Sequence, residues 1–415
     1  MSVKRMTDCQ FDHQAIRSQF PALQQQLGDN PLCYLDTAAT SQKPQSVIDA
    51  MNHYYQLDNA NVHRAAHQLA AKATLQYEQV RVQVQGFINA ATTQQIVFTH
   101  GTTESINMVA HGLTDLFKAG DVILVDGAAH HANIVPWQAL AKRTGANVIP
   151  IPLDSDGCIN HSAYDALLTQ APKLVALSHV TNAMGTINPV KAMVAKANNV
   201  GAMTLIDGAQ AVAHLNVDVQ SIDCDYYVFS GHKMYGPTGV GILYGKLDAL
   251  EKLTPMLTGG EMIKTVSFDG TSYGELPNRL EAGTPAIAAV IGLGAAITFL
   301  AELPQTLIHQ HEQQLIHYLQ QQLSQLGDIS VYGVRPNNDN IGAVAFNLAD
   351  EHHQDVGILL DQQGVAIRGG HHCAMPLMQS LQIKGCCRAS IGIYSNQQDI
   401  DRFINALAEV KSILL

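Results

Sequence analysis

Between about residues 95 and 246 the chain alternates short β-rich runs with helical stretches. That alternation restricts the fold more than any other feature of the 415 residues. Residues 96–99, 122–125, 148–151, 174–177, 204–206, 227–229 and 241–244 read as strands, with helices over 103–116 and 134–143. The strand runs are apolar on both faces, as in a parallel sheet covered by helices. This pattern predicts an open α/β sheet. Beyond about residue 303 it changes to strands around Val331 and 344–346, a helix near 356–360 and a long helix from Gln398. So long a chain exceeds one hydrophobic core. The expected division is an N-terminal arm over 1–34 packing with the small domain, a large domain over 35–295, and a smaller C-terminal α+β domain over 296–415. The apolar run 286–300 is shorter than the ~20 residues of a membrane span and reads as a buried helix. The glutamine-rich stretch 310–325 sets Leu315, Ile316, Leu319, Leu323 and Leu326 on one helical face.

In such a sheet ligands sit at the carboxyl ends of the strands. Five successive ends carry polar, chemically capable residues: His100-Gly101-Thr102-Thr103, His130-His131, Ser178-His179-Val180-Thr181-Asn182, Asp207-Gly208-Ala209-Gln210 and Ser230-Gly231-His232-Lys233. Taken singly, each has a plain explanation: a helix cap, a satisfied edge histidine, a solvated lysine. Together they describe one site. Gly101-Thr102-Thr103 opens a helix whose free N–H groups attract an anion. Lys233 directly follows a buried strand, where desolvation lowers a lysine's pKa and suits it to imine formation. An anion cradle, a stacking histidine, an acid for a ring nitrogen and a lysine together suit pyridoxal phosphate. The dinucleotide fingerprint and the P-loop are both missing.

Composition sharpens this. Lys and Arg number 24 against 35 Asp and Glu, a net charge of −11, which disfavours nucleic acid and anionic membrane surfaces as partners. Only 14% of residues are charged, against ~25% in ordinary domains, so Lys233, Asp207 and Arg388 stand out. The seven cysteines are Cys9, Cys33, Cys158, Cys224, Cys373, Cys386 and Cys387. Their odd number and wide scatter exclude a disulfide scaffold and fit a reducing compartment. Cys386-Cys387 are adjacent and no Cys-x-x-Cys exists, so no metal site is expected. Residues 1–20 lack the apolar core of a signal peptide, and a cytoplasmic location is expected.

Further motifs make the chain similar to a known family. These are Tyr34-Leu35-Asp36-Thr37-Ala38-Ala39-Thr40, Asn61-Val62-His63-Arg64, His130-His131-Ala132-Asn133, Glu281-Ala282-Gly283-Thr284-Pro285 and His371-His372-Cys373-Ala374-Met375-Pro376. With the strand-end motifs, they resemble the group II (Suf or Csd type) cysteine desulfurases. These belong to the class V aminotransferases, which are fold-type I pyridoxal phosphate (PLP) enzymes. The resemblance runs from about Phe20 to the C-terminal helix. It implies PLP held by Lys233, with Asp207 at the ring nitrogen, Gln210 at the ring hydroxyl and His130 stacked on the ring. Thr102, Thr103, Ser230 and His232 would bind the phosphate, with Thr284 reaching in from a second subunit of a homodimer. Asn182, Arg388, Ala38, His63 and Arg64 would receive the substrate. Cys373 would take sulfur from L-cysteine as a persulfide, leaving L-alanine. The persulfide would pass to an acceptor protein of the SufE or CsdE kind, for iron–sulfur cluster or thio-cofactor assembly.

Cys373 must react as a thiolate, and Arg368, His371 and His372 are close enough in sequence to favour one. Residues 371–376, following Arg368-Gly369-Gly370, read as an exposed turn. The other six cysteines read as buried small apolar residues. Gly369 and Ala286 stand where the resemblance leads one to expect threonine or alanine, and asparagine. Asp269-Gly270 marks a hairpin, which by resemblance lies at the dimer interface. L-Selenocysteine as substrate is a close variant. Another PLP reaction, transamination or lyase chemistry, would leave Cys373 without a task. A non-enzymatic scaffold would have no use for Lys233, Asp207, His130 and Cys373 together. Suf and Csd branches are not separated by these motifs.

Overall fold

The computed structural model describes residues 12–333 and 340–415; Cys9 lies outside them. Its main sheet has seven strands: β1 (Ile96–Thr99), β2 (Val122–Asp126), β3 (Asn147–Ile151), β4 (Leu174–Ser178), β5 (Met203–Asp207), β6 (Tyr226–Ser230) and β7 (Gly241–Gly245). Their order is β1-β7-β6-β5-β4-β2-β3. Pairs from β6 across to β3 are parallel. Alternate residues of one strand enter opposite cores. Val175, Leu177, Ile206, Tyr227 and Phe229 pack on one face, and Leu174, Ala176, Leu205, Tyr226 and Val228 on the other. This two-sided burial produces the continuous apolar runs of the sequence.

One strand departs from the expected parallel series. β7 runs antiparallel to both neighbours, with Gly241 opposite Ser230 of β6 and Thr99 of β1. Its burial resembles that of a parallel strand, so periodicity does not reveal its direction. The connection does: the loop 231–240 is too short for the dozen or more residues of a parallel crossover. The reversal brings the start of β7 to the edge where β1 and β6 end.

The helix Ile287–Ala301 is buried along most of its length, as its composition requires. It continues past residue 295, with Ile297, Phe299 and Leu300 in the first core. The next helix, Gln305–Gln325, follows after residues 302–304, and its Ile308 still packs into the first core. Leu315, Ile316, Leu319 and Leu323 bury the expected face of that helix. Glu312 on the same helix is also fully buried, hydrogen-bonded to His214 Nδ1 at 2.8 Å. No single helix among the described residues is long and apolar enough to cross a membrane.

An exposed hairpin joins β8 (Ile263–Ser267) to β9 (Gly270–Tyr273). Its tip is Phe268-Asp269, one residue earlier than the Asp-Gly signal suggested, because Gly270 already pairs with Ser267. A second, antiparallel sheet contains β10 (Ile329–Tyr332), β11 (Ala343–Leu348), β12 (Arg368–Gly370) and β13 (Cys386–Ser390), in the order β10-β11-β13-β12. β12 and β13 escape a sequence reading, since arginines and glycines interrupt their apolar pattern. The N-terminal segment joins this sheet region: Cys33 and Tyr34 pair in parallel with Val365 and Ala366. Arg17 binds Asp399 of the final helix, Gln397–Leu414, at 2.8 Å.

Candidate active site

A cleft of about 210 Å³ opens at the carboxyl ends of β1, β2, β4, β5 and β6, against β12 and β13. Ala38, Thr102, Thr103, His130, Asn182, Asp207, Gln210, Ser230, His232, Lys233, Cys373 and Arg388 all line it. Segments nearly 340 residues apart in sequence therefore meet at one edge, as Ala38 and Cys373 do. Ser178, Val180, Arg368 and His372 line it as well.

The helix Thr102–Gly112 begins without any side-chain cap, leaving N–H groups for an anion. Ser230 Oγ accepts from Thr102 N at 2.8 Å and shares a 2.7 Å hydroxyl contact with Thr102 Oγ1. Close approach explains the glycines here: a Cβ on Gly241 would fall 2.4 Å from the Gly101 Cα. Asp207 is buried, and its side chain accepts from Ala209 N through Oδ1, with no further side-chain hydrogen bond among the described residues. Burial raises its pKa, with the Lys233 charge opposing. Such a carboxylate fits a protonated ring nitrogen. Desolvation pushes Lys233 down to about 8, although Asp207 acts in the other direction. Burial and the Lys233 charge push His130 down to about 4. The imidazole is thus neutral, with Nδ1 accepting from Ala132 N, and suits stacking on a ring. His232 is likewise held at about 4 by burial. The uncapped helix, the free Asp207 oxygen and the desolvated lysine fit the pyridoxal phosphate inferred from sequence. Gln210 Nε2 donates to Ala38 O, fixing the side chain at the cleft wall.

The opposite wall comes from the small sheet. Arg388 is buried and donates to Asp36 Oδ1 at 3.1 Å and to Asn182 O at 2.8 Å, while its Nε finds no partner. Burial lowers the pKa of Arg388 and raises that of Asp36, outweighing their mutual attraction in both. Arg368 stands opposite Arg388 in the β12–β13 register. Like charges facing each other across strands are unfavourable without an anion. Arg368, close to Cys373 in sequence, thus lines the cleft beside Arg388 as a second cation. Long-range register, which no local spacing encodes, reveals this.

Cys373 is the only cysteine among the described residues that is not buried. Burial raises the thiols of Cys33 and Cys386 to about 12 and raises those of Cys158, Cys224 and Cys387 as well. The expected turn is present at His372-Cys373, after the strand 368–370, but it is less exposed than expected: His372 is buried, with Nε2 donating to Cys386 O at 2.9 Å. Desolvation and Arg388 hold His372 at about 3, so it is neutral and supplies no charge to favour a thiolate. Both His372 and Cys373 have positive φ, 50° and 54°. The smaller residue at 369 has a steric reason: a Cβ there would meet His353 O at 2.6 Å. Ala286 leaves the helix Ile287–Ala301 without a side-chain cap.

Three selected residues are not at this cleft within one chain. Thr284 lies on a second small cleft with Tyr77 and Glu281. His63 binds Glu78 at 2.9 Å, and Arg64 pairs with Glu261. Their sequence motifs carried no information on which wall they occupy.

The aminotransferase class-V family profile matches residues 33–403. A probable cysteine desulfurase of Vibrio cholerae is 47% identical over 401 residues, covering 96% of this chain and 98% of the relative. A cysteine desulfurase of Yersinia pestis is 48% identical over 406 residues, covering 97% and 99%. The crystal structure of the cysteine desulfurase CsdA from Escherichia coli superposes with a TM-score of 0.89 at 38% identity, covering 97% of this chain and 99% of that one. By these matches the chain belongs to the aminotransferase class-V family, among its cysteine desulfurases.

Proposed function

We propose that this cleft converts L-cysteine to L-alanine with transfer of its sulfur to Cys373. The observation that carries the reading is a desolvated lysine and the one unburied cysteine of the described chain on the same cleft. Lys233 would hold pyridoxal 5'-phosphate, with Asp207, Gln210 and His130 around its ring and Thr102, Thr103, Ser230 and His232 around its phosphate. Bound there, the cofactor supplies an electron sink for negative charge at the substrate α-carbon. Arg388 and Arg368 would clamp the substrate carboxylate, with Asn182 and Ala38 beside it. Lys233 Nζ is suited to carry the α-proton, because its lowered pKa leaves a large neutral fraction near neutrality. The Cys373 thiolate attacks the substrate sulfur. An S–S bond forms and the C–S bond breaks. Its electron pair stays with the carbon skeleton, which takes up a proton and leaves as alanine. L-Selenocysteine would be handled in the same pose.

A homodimer is part of the proposal. Thr284, His63 and Arg64 lie away from their own chain's cleft, and the exposed Phe268 hairpin offers an apolar contact. We further infer an acceptor protein that docks to collect the persulfide, because Cys373 sits on a short tether: its carbonyl accepts from His131 N at 2.7 Å. A reducing, cytoplasmic setting agrees with six unpaired cysteines.

The test incubates purified protein with L-cysteine and reductant, beside Cys373→Ala and Lys233→Ala. Equimolar alanine and sulfide are expected from the unsubstituted protein. Cys373→Ala should keep the cofactor colour and lose desulfuration; Lys233→Ala should lose the covalent cofactor. Pyruvate in place of alanine, or full activity in Cys373→Ala, would sink the reading.

A further inference from the structure

His131 follows β2, whereas His371 and Cys373 follow β12, yet the fold brings them together. One ring nitrogen of each histidine and the Cys373 sulfur all lie within 4.8 Å of one another. The two rings are 5.6 Å apart and tilted by 34°. The backbone locks this grouping: His131 N donates to Cys373 O, Met375 N to His131 Nε2 at 3.1 Å and Cys373 N to His371 Nδ1 at 3.0 Å. Both rings therefore turn acceptor lone pairs toward the Cys373 loop. All three residues are half-buried, so one side stays open.

We propose that His131, His371 and Cys373 form a reversible binding site for a borderline-soft cation of the zinc(II) class, with a fourth position open to solvent. One thiolate and two imidazoles are the donor set such ions prefer, while hard cations seek oxygen ligands. No carboxylate belongs to the group, and Arg368 lines the adjoining cleft, which further disfavours magnesium or calcium. Zn–S and Zn–N bonds of about 2.3 and 2.0 Å bring tetrahedral donors to roughly 3–4 Å from one another. Closure from the present spacing needs about an ångström of side-chain rotation. The ion competes with the Met375 and Cys373 N–H groups for the ring lone pairs, so the site binds more weakly than a purpose-built structural zinc centre. An occupied site removes the sulfur-accepting thiolate from use, making the enzyme reversibly sensitive to zinc.

The experiment uses the holoenzyme without L-cysteine, which binds zinc itself and would otherwise link the outcome to turnover. Cobalt(II) titration should give one ion per chain, with a thiolate-to-cobalt charge-transfer band that zinc displaces. Zinc should slow alkylation of Cys373 by iodoacetamide, and a chelator should restore it. His131→Ala and His371→Ala should each weaken cobalt by about tenfold or more, the least expected when a ligand rather than its supporting partner is removed. His131→Gln and His371→Gln, which keep a polar side chain, should weaken it similarly. Retained cofactor absorbance shows that each variant is folded. Cys373→Ser should abolish the charge-transfer band. Affinity unchanged in the histidine variants, a cobalt spectrum lacking the thiolate band, or alkylation indifferent to zinc would each overturn the site.

Discussion

The Asn182 side-chain amide donates to the carbonyl of His372 at 2.6 Å, immediately before Cys373. Arg388 in turn donates to Asn182 O, so Arg388 and the Cys373 loop share one connector. His372 and Cys373 both have left-handed backbone conformations, which cost about 1–3 kcal/mol each and persist only where neighbours hold them. Asn182→Ala should therefore free the loop. Single-turnover persulfide formation should fall on the order of 10²-fold, the scale of a ~1 Å misplacement. Alkylation of Cys373 in the absence of substrate should become faster. A residue that merely touched substrate would leave the alkylation rate unchanged.

The lowered pKa of Lys233 sets a pH window for loading the cofactor. Its amine is the nucleophile, and it is neutral above about 8 instead of above the usual 10.5. Reconstitution of cofactor-free protein, followed by absorbance, should accelerate as pH rises and reach half its maximal rate near 8. The same shift lowers stability at low pH: between about 8 and 10.5 the unfolded chain binds the extra proton. Stability should therefore rise with pH across that window, relative to Lys233→Met, in urea denaturation of the cofactor-free forms.

Gly369→Thr places a Cβ against the His353 carbonyl. Overpacking of this kind costs about 1–3 kcal/mol. A corresponding drop in the urea midpoint is expected, whereas Gly357→Ala, with nothing within 4 Å of its Cβ position, should show no steric penalty.

Ala286→Asn supplies the missing N-cap of the helix Ile287–Ala301. A gain of about 0.5–2 kcal/mol is expected, measured as a raised Tm with unchanged cofactor spectrum.

His214→Ala strands the carboxylate of Glu312, which is fully buried and already has one oxygen without a partner. Removing the partner of a buried polar group costs about 1–3 kcal/mol. Adding Glu312→Leu should recover much of that loss in equilibrium unfolding.

Local chemistry made part of this molecule legible. Ile96–Thr99 and its successors read as strands because both faces are apolar, and the residues at their ends read as a site because polar groups are rare there. What could not be read depends on distant partners. β7 shares the burial of its neighbours, and only its short connection reverses it. Asp36 and Arg388 meet through the bridge of Asp36 to Ser390, which no sequence spacing announces. His372 looks like a cation in the motif, but burial neutralises it. His131 and His371 become neighbours only through the fold.

The pairing of Cys33-Tyr34 with Val365-Ala366 has a consequence for synthesis on the ribosome. The N-terminal strand emerges early, and its partner emerges more than three hundred residues later. At about 5–20 residues per second the strand waits on the order of tens of seconds, with its backbone donors and acceptors facing water. The second sheet is thus completed only when translation is almost finished, and the wall carrying Arg388 and Cys373 is the last part of the cleft to be made. The nascent chain can bring Thr102 and Lys233 together on the main sheet well before Cys373 has been made.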